Sequence, residues 1–156
     1  MRITDIRAIQ PIAHNSPDDW RTSLGQILVA VDTDVGLTGY GVGGGGLAGV
    51  HVVATVLRDL LLDRDPEPVE QIWDDMYAHT LAFGQKGLAI MAVSGVDLAL
   101  WDLRGQAAQL PVVRLLGGQT GVGIPTYTTL WDEPTAEQLG QHRAFKMHME
   151  HQTGQD

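Results

Sequence analysis

The hydrophobic period of this chain changes once, near Ala48, and that change limits what it can fold into. Before it, β-branched and apolar residues run in extended patterns. Residues 3–12 form a first strand stopped by Pro11, and residues 26–33 (Gln-Ile-Leu-Val-Ala-Val-Asp-Thr) form the clearest strand. Asp34-Val35-Gly36 supplies the turn, and residues 37–42 return as a third strand. After Ala48, apolar residues recur at steps of three and four, the spacing of an amphipathic helix. Strands followed by a run of helices predict an α+β domain: a three-stranded antiparallel meander, then a helical bundle.

The first helix is expected over residues 48–62 on Val52, Val56 and Leu60, broken by Asp63-Arg64-Asp65-Pro66. The second runs over 69–81, with Ile72, Met76 and Leu81 as its buried stripe. The third and longest spans 88–110, where Val93, Val96, Leu100, Leu103 and Ala107 give one continuous apolar face. Pro111 opens a short fourth turn that ends at Gly117-Gly118. Beyond Gly123 the pattern starts again as strand (124–130), short helix (134–143) and strand (145–149), the way a parallel barrel begins. The boundary therefore falls between Gly117 and Gly123, giving domains 1–118 and 119–156.

Composition excludes several functions. A formal net charge of −9 with no Lys/Arg run is unsuited to phosphate neutralisation, so no nucleic-acid partner is expected. The chain has no cysteine, which removes thiolate chemistry and fits a cytoplasmic setting. No apolar stretch approaches the roughly 18 residues of a membrane span, so no membrane partner is expected. Hydrophobic residues at 44% suffice for a packed core.

Three motifs invite stronger readings. Gly39, Gly41 and Gly44 match G-x-G-x-x-G after a strand and before a helix, but the second parallel strand of a dinucleotide site is missing, so nucleotide binding is rejected. His142, His148 and His151 lack zinc-helix spacing. Asp97 interrupts an apolar helix, and a buried carboxylate needs a partner; Arg104 or a backbone amide is the expected one.

The stretch from Gly87 to Gly105 (GLAIMAVSGVDLALWDLRG), continued by Leu110-Pro111-Val112-Val113-Arg114-Leu115-Leu116-Gly117-Gly118, closely resembles the long cap-domain helix of the mandelate racemase and muconate lactonizing enzymes of the enolase superfamily. Asp34 to Gly41 is similar to the family's hairpin, Ile3 to Arg7 to its opening strand, and Ile124 to Thr129 to its first barrel strand. The resemblance implies Mg²⁺-assisted removal of the proton α to a carboxylate, in an acid-sugar dehydratase or racemase. It places the metal carboxylates on barrel strands beyond Asp156. No Mg²⁺ is then expected to bind this chain, which should be an inactive fragment that either self-associates through uncovered Ile124, Tyr127, Leu130 and Trp131 or shows a mobile segment from Gly118 onward. A stand-alone interaction module and a decayed reading frame are the alternatives.

By the same resemblance, Lys146-Met147-His148 lies where the family places Lys-x-Lys. Lys146 would polarise the substrate carboxylate and His148 would abstract the proton, with a pKa near neutrality. The cap would set specificity through two mobile loops, 14–23 and 43–50. In the first, His14, Asn15 and Arg21 can hydrogen-bond a polyol acid and Trp20 forms an apolar wall.

Overall fold

The computed structural model describes residues 1–11, 25–118, 121, 123–130 and 133–147. The chain divides into two compact units, Met1–Gly118 and Gln119–Asp156.

In the first unit, β1 (Ile3–Ile9), β2 (Ile27–Thr33) and β3 (Thr38–Gly43) form an antiparallel sheet in the order β1-β2-β3. The β2–β3 turn closes as expected. Gly36 takes a φ of 80°, and Thr33 N–H donates to Leu37 O at 3.0 Å. Alternation sends Ile27, Val29 and Val31 inward, and a register shift between Ile3 and Asp5 lets both Ile3 and Ile6 join them, all at most 1% exposed. On the outer face, Arg7 grips Asp32 through both Nε (2.9 Å) and a terminal amine (3.0 Å), and Thr38 donates to the same carboxylate at 2.8 Å. One charge network thus spans all three strands.

Both sheet edges are partly covered. Along β1, Ile3 N–H donates to Arg64 O and Asp63 N–H donates to Ile3 O, each at 2.9 Å. Along β3, side chains replace the missing strand: Tyr40 N–H donates to Asp102 at 2.9 Å, and Gln106 donates to Thr38 O at 2.8 Å. Each occupied group leaves less of the edge free to pair with another chain.

The helices follow in the expected order, with shifted details. α1 (Gly46–Val52) runs through a π-helical turn (Val53–Leu57) into α2 (Arg58–Leu61). Val53, Leu57 and Leu61 are the fully buried residues, whereas Val52 and Leu60 are only partly covered. The wider π turn keeps residues four apart in line. α3 (Val69–Thr80) buries Val69, Ile72, Met76 and Thr80. It ends one residue before Leu81, which is 47% exposed and lies outside the expected stripe. α4 (Leu88–Ala108) buries Val93, Val96, Leu100 and Leu103 completely. Ala107, expected on that face, is exposed, and Gln109 closes the helix with a φ of 53°. α5 (Val112–Leu115) is the short turn after Pro111. Among the described residues no helix is long and apolar enough to cross a membrane.

The second unit holds β4 (Thr128–Leu130), α6 (Ala136–Gln141) and β5 (Phe145–Met147), with β4 and β5 parallel. The first strand is thus shorter than residues 124–130. A reciprocal cap starts α6: Gln138 N–H donates to Thr135 Oγ1, and Thr135 N–H donates to the Gln138 side chain. Leu130, expected to be uncovered, is 8% exposed, because the neighbouring strand pairs with it. Ile124 (81%) and Tyr127 (60%) are exposed, and Trp131 lies outside the described residues.

Candidate functional site

The glycine run that imitates a nucleotide motif is a packing device. A Cβ on Gly39 would lie 2.1 Å from Ala99 O, one on Gly41 2.1 Å from Gly95 O, and one on Gly43 2.7 Å from Met91 O. The helix supplies its own small residue, since a Cβ on Gly95 would meet Val29 and the Gly43 backbone at 2.8–3.1 Å. Bare backbone on one face of β3 therefore admits the backbone of α4, a close approach that glycine alone permits.

That approach ends at a cleft. β3 finishes in Gly43 and Gly44, Gly44 N–H donates to Met91 O at 3.2 Å, and Gly46 N–H donates to Gly25 O at 2.9 Å. Around this junction Gly25, Gln26, Val42, Leu88, Met91 and Ser94 line a largely apolar cleft of about 540 Å³. The second specificity loop is shorter than the expected 43–50. Helix α1 begins at Gly46, so only Gly43 to Gly45 link strand to helix, and Gly45 takes a φ of 94°. The first loop, with His14, Asn15, Trp20 and Arg21, lies outside the described residues, as does His148. Lys146 is exposed on β5 and pairs in register with Thr129.

Asp97 is half-buried, and its expected partner is engaged elsewhere. Arg104 ion-pairs with Glu67 at 3.3 Å and lies over the Trp101 ring at 5.4 Å. Seven residues separate Asp97 from Arg104, about 10 Å along a helix axis, whereas Trp101 is one turn away. No described residue hydrogen-bonds or ion-pairs with Asp97. Burial alone raises its pKa. A raised folded-state pKa contributes stability that is fully present below the unfolded value and lost as pH rises through the folded value. Asp97→Asn is therefore expected to raise the denaturation midpoint at pH 7, with the gain vanishing below about pH 4. Urea titrations at the two pH values check this; a lower midpoint for the variant at pH 7 would show the carboxylate to be paired.

Asp5 has the opposite sign. The Arg58 guanidinium donates to it at 2.8 Å and lowers its pKa, so its contribution is lost as pH falls.

The described cleft offers an apolar wall together with the side chains of Gln26 and Ser94, and Asp97 is not among its lining residues. Among the described residues no group of three or more His, Asp or Glu is placed to share a metal ion. Such a surface can bind and orient, but it holds no acid–base pair.

A profile of the mandelate racemase / muconate lactonizing enzyme N-terminal domain matches residues 11–117. The chain belongs to this family. Family relatives include an L-rhamnonate dehydratase of Saccharopolyspora erythraea, 39% identical over 117 residues, which covers 75% of this chain and 30% of the relative. An arabinonate dehydratase of Saccharolobus solfataricus is 43% identical over 95 residues, covering 59% of this chain and 26% of the relative. The chain thus spans under a third of the length of either enzyme. Among solved family structures, an L-rhamnonate dehydratase from Gibberella zeae superposes with a TM-score of 0.77 at 27% identity, covering 94% of this chain and 42% of that one. A rhamnonate dehydratase from the same organism, complexed with Mg, gives 0.77 at 25% identity, covering 94% and 44%. The enolase-type cap, three strands and then helices, is the fold of Met1–Gly118.

Proposed function

We propose that residues 1–118 are the substrate-covering cap of a Mg²⁺-dependent acid-sugar dehydratase or racemase, that residues 119–156 open its barrel, and that this chain alone is inactive. The likeness to two sugar-acid dehydratases carries the reading. A divalent cation, where one is held, would supply charge stabilisation as the α proton leaves. The described residues do not fit such an ion, since no three His, Asp or Glu among them are placed to share one. In this reading Lys146 orients and polarises the substrate carboxylate, His148 takes the α proton, and His14, Asn15, Trp20 and Arg21 contact the polyol. The largely apolar lining of the cleft beside Gly43 and Met91 supports a covering role, because such a wall helps keep water from a substrate once it is covered. The exposed Ile124 and Tyr127 support self-association, and the lack of cysteine supports a cytoplasmic setting.

The test joins residues 1–118 to the Saccharopolyspora dehydratase in place of its matching segment and assays dehydration of L-rhamnonate with Mg²⁺. Activity is expected. A folded but inactive fusion would overturn the cap reading in favour of a stand-alone interaction module, for which the compactness of Met1–Gly118 is the supporting observation.

A further inference from the structure

The sulfur of this chain is all in methionine: it has five of them and no cysteine. Burial separates three. Met76 is 0% exposed in the core, whereas Met91 on α4 is 46% exposed and Met147 on β5 is 45% exposed. Of these only Met91 lines the cleft at the end of β3. Its sulfur lies on that wall, since a Cβ on Gly44, another lining residue, would sit 3.3 Å from Met91 Sδ. Its backbone is pinned there, because Met91 O accepts from Gly44 N–H at 3.2 Å. Polar side chains around it are few. Ser94 Oγ donates to Ile90 O at 2.9 Å, and the Gln26 side chain has no partner among the described residues. A thioether is apolar and suits such a wall, whereas a sulfoxide is polar and does not.

We propose that Met91 is a site of reversible oxidation, through which a hydroperoxide turns the apolar wall of this cleft polar. The thioether sulfur attacks the terminal peroxide oxygen. An S–O bond forms as the O–O bond breaks, and the proton on the transferred oxygen passes to the departing one, which leaves as water or an alcohol. The sulfur is oxidised and the peroxide reduced, so no further co-reactant is needed. A methionine sulfoxide reductase reverses the change at the expense of thiol equivalents. The uncommitted Gln26 amide, on the same wall, is a donor suited to the new oxygen. Oxidation thus removes the preference of the cleft for apolar groups. The site stands on the geometry alone; that its oxidation weakens a substrate-covering wall rests on the cap reading above.

The test treats the full 156-residue chain with dilute hydrogen peroxide and follows each methionine by peptide mass spectrometry. Met91 is expected to gain one oxygen about tenfold or more faster than buried Met76. Toluene, a small apolar probe, is then titrated in and read at the amide NMR signals of Gly43 and Gly44. Binding should saturate in the untreated chain and be about tenfold weaker after peroxide. Methionine sulfoxide reductases should restore it. Met91→Leu should bind toluene alike before and after peroxide, and Met147→Leu should respond as the wild type does. Equal oxidation rates at Met91 and Met76 would overturn the proposal. So would toluene binding that is absent from the untreated chain, unaffected by oxidation, or weakened equally in Met91→Leu. None of these results bears on the cap reading, which the fusion assay decides.

Discussion

Gly41→Ala should destabilise the protein by about 3 kcal/mol or more, the upper end of what one added methyl costs in a packed core. The new Cβ would sit 2.1 Å from Gly95 O, 2.6 Å from Ala99 N and 2.9 Å from Leu98 Cβ. The first two are backbone atoms of a 21-residue helix, and no rotamer change can move them aside. Either β3 lifts from α4 or the helix shifts, and both disturb the Asp102 and Gln106 bonds that cover the β3 edge. Gly36→Ala is the contrast. Its φ of 80° disfavours alanine, but nothing lies within 4 Å of the added carbon, so it should cost only about 1–2 kcal/mol. Denaturant titration of the two variants decides the matter. If Gly41→Ala unfolds at the wild-type midpoint, the close approach of strand and helix is wrong.

The same residues show how far the sequence could be read. The change of hydrophobic period near Ala48 was enough to separate sheet from bundle, because period two and period 3.6 cannot share a stretch of chain. The sequence lacks a second parallel strand after Gly39 and Gly41, and the sheet around them is antiparallel. Their actual role required a second pattern: Gly39, Gly41 and Gly43 alternate on one strand face, while Gly95, Ala99 and Leu103 recur every four on the helix. Each is visible alone, but their apposition is a tertiary fact. The partner assigned to Asp97 failed because seven residues of helix separate it from Arg104, which Trp101, three residues before it, and Glu67 engage instead. Asp102 passed unnoticed because its work is to bond a backbone amide 62 residues away. The cleft escaped as well, being built by segments near Gly25, Val42 and Leu88 that meet only in the folded chain. The π turn hid the exact stripe of the first helix, although Val53, Leu57 and Leu61 already recur at intervals of four.

Leu100→Ala should cost about 2–5 kcal/mol, the lost transfer energy of the removed carbons plus the cavity they leave. Leu100 is completely buried, in a cluster with Val29, Val96 and Leu103 that joins the sheet to the bundle. Its position within α4 makes the upper half of that range the expectation, because the glycine contacts on the same helix hold its backbone against β3 and limit collapse into the void. Leu98 provides the control, lying two residues away in the same helix but 49% exposed. Leu98→Ala should change stability by no more than about 0.5 kcal/mol. Helix propensity is matched in the pair, so the difference between them isolates burial. Thermal melts of both variants at one pH supply the measurement. Equal midpoints would place Leu100 outside the core, and with it the face of α4 that orients Asp97 and Asp102.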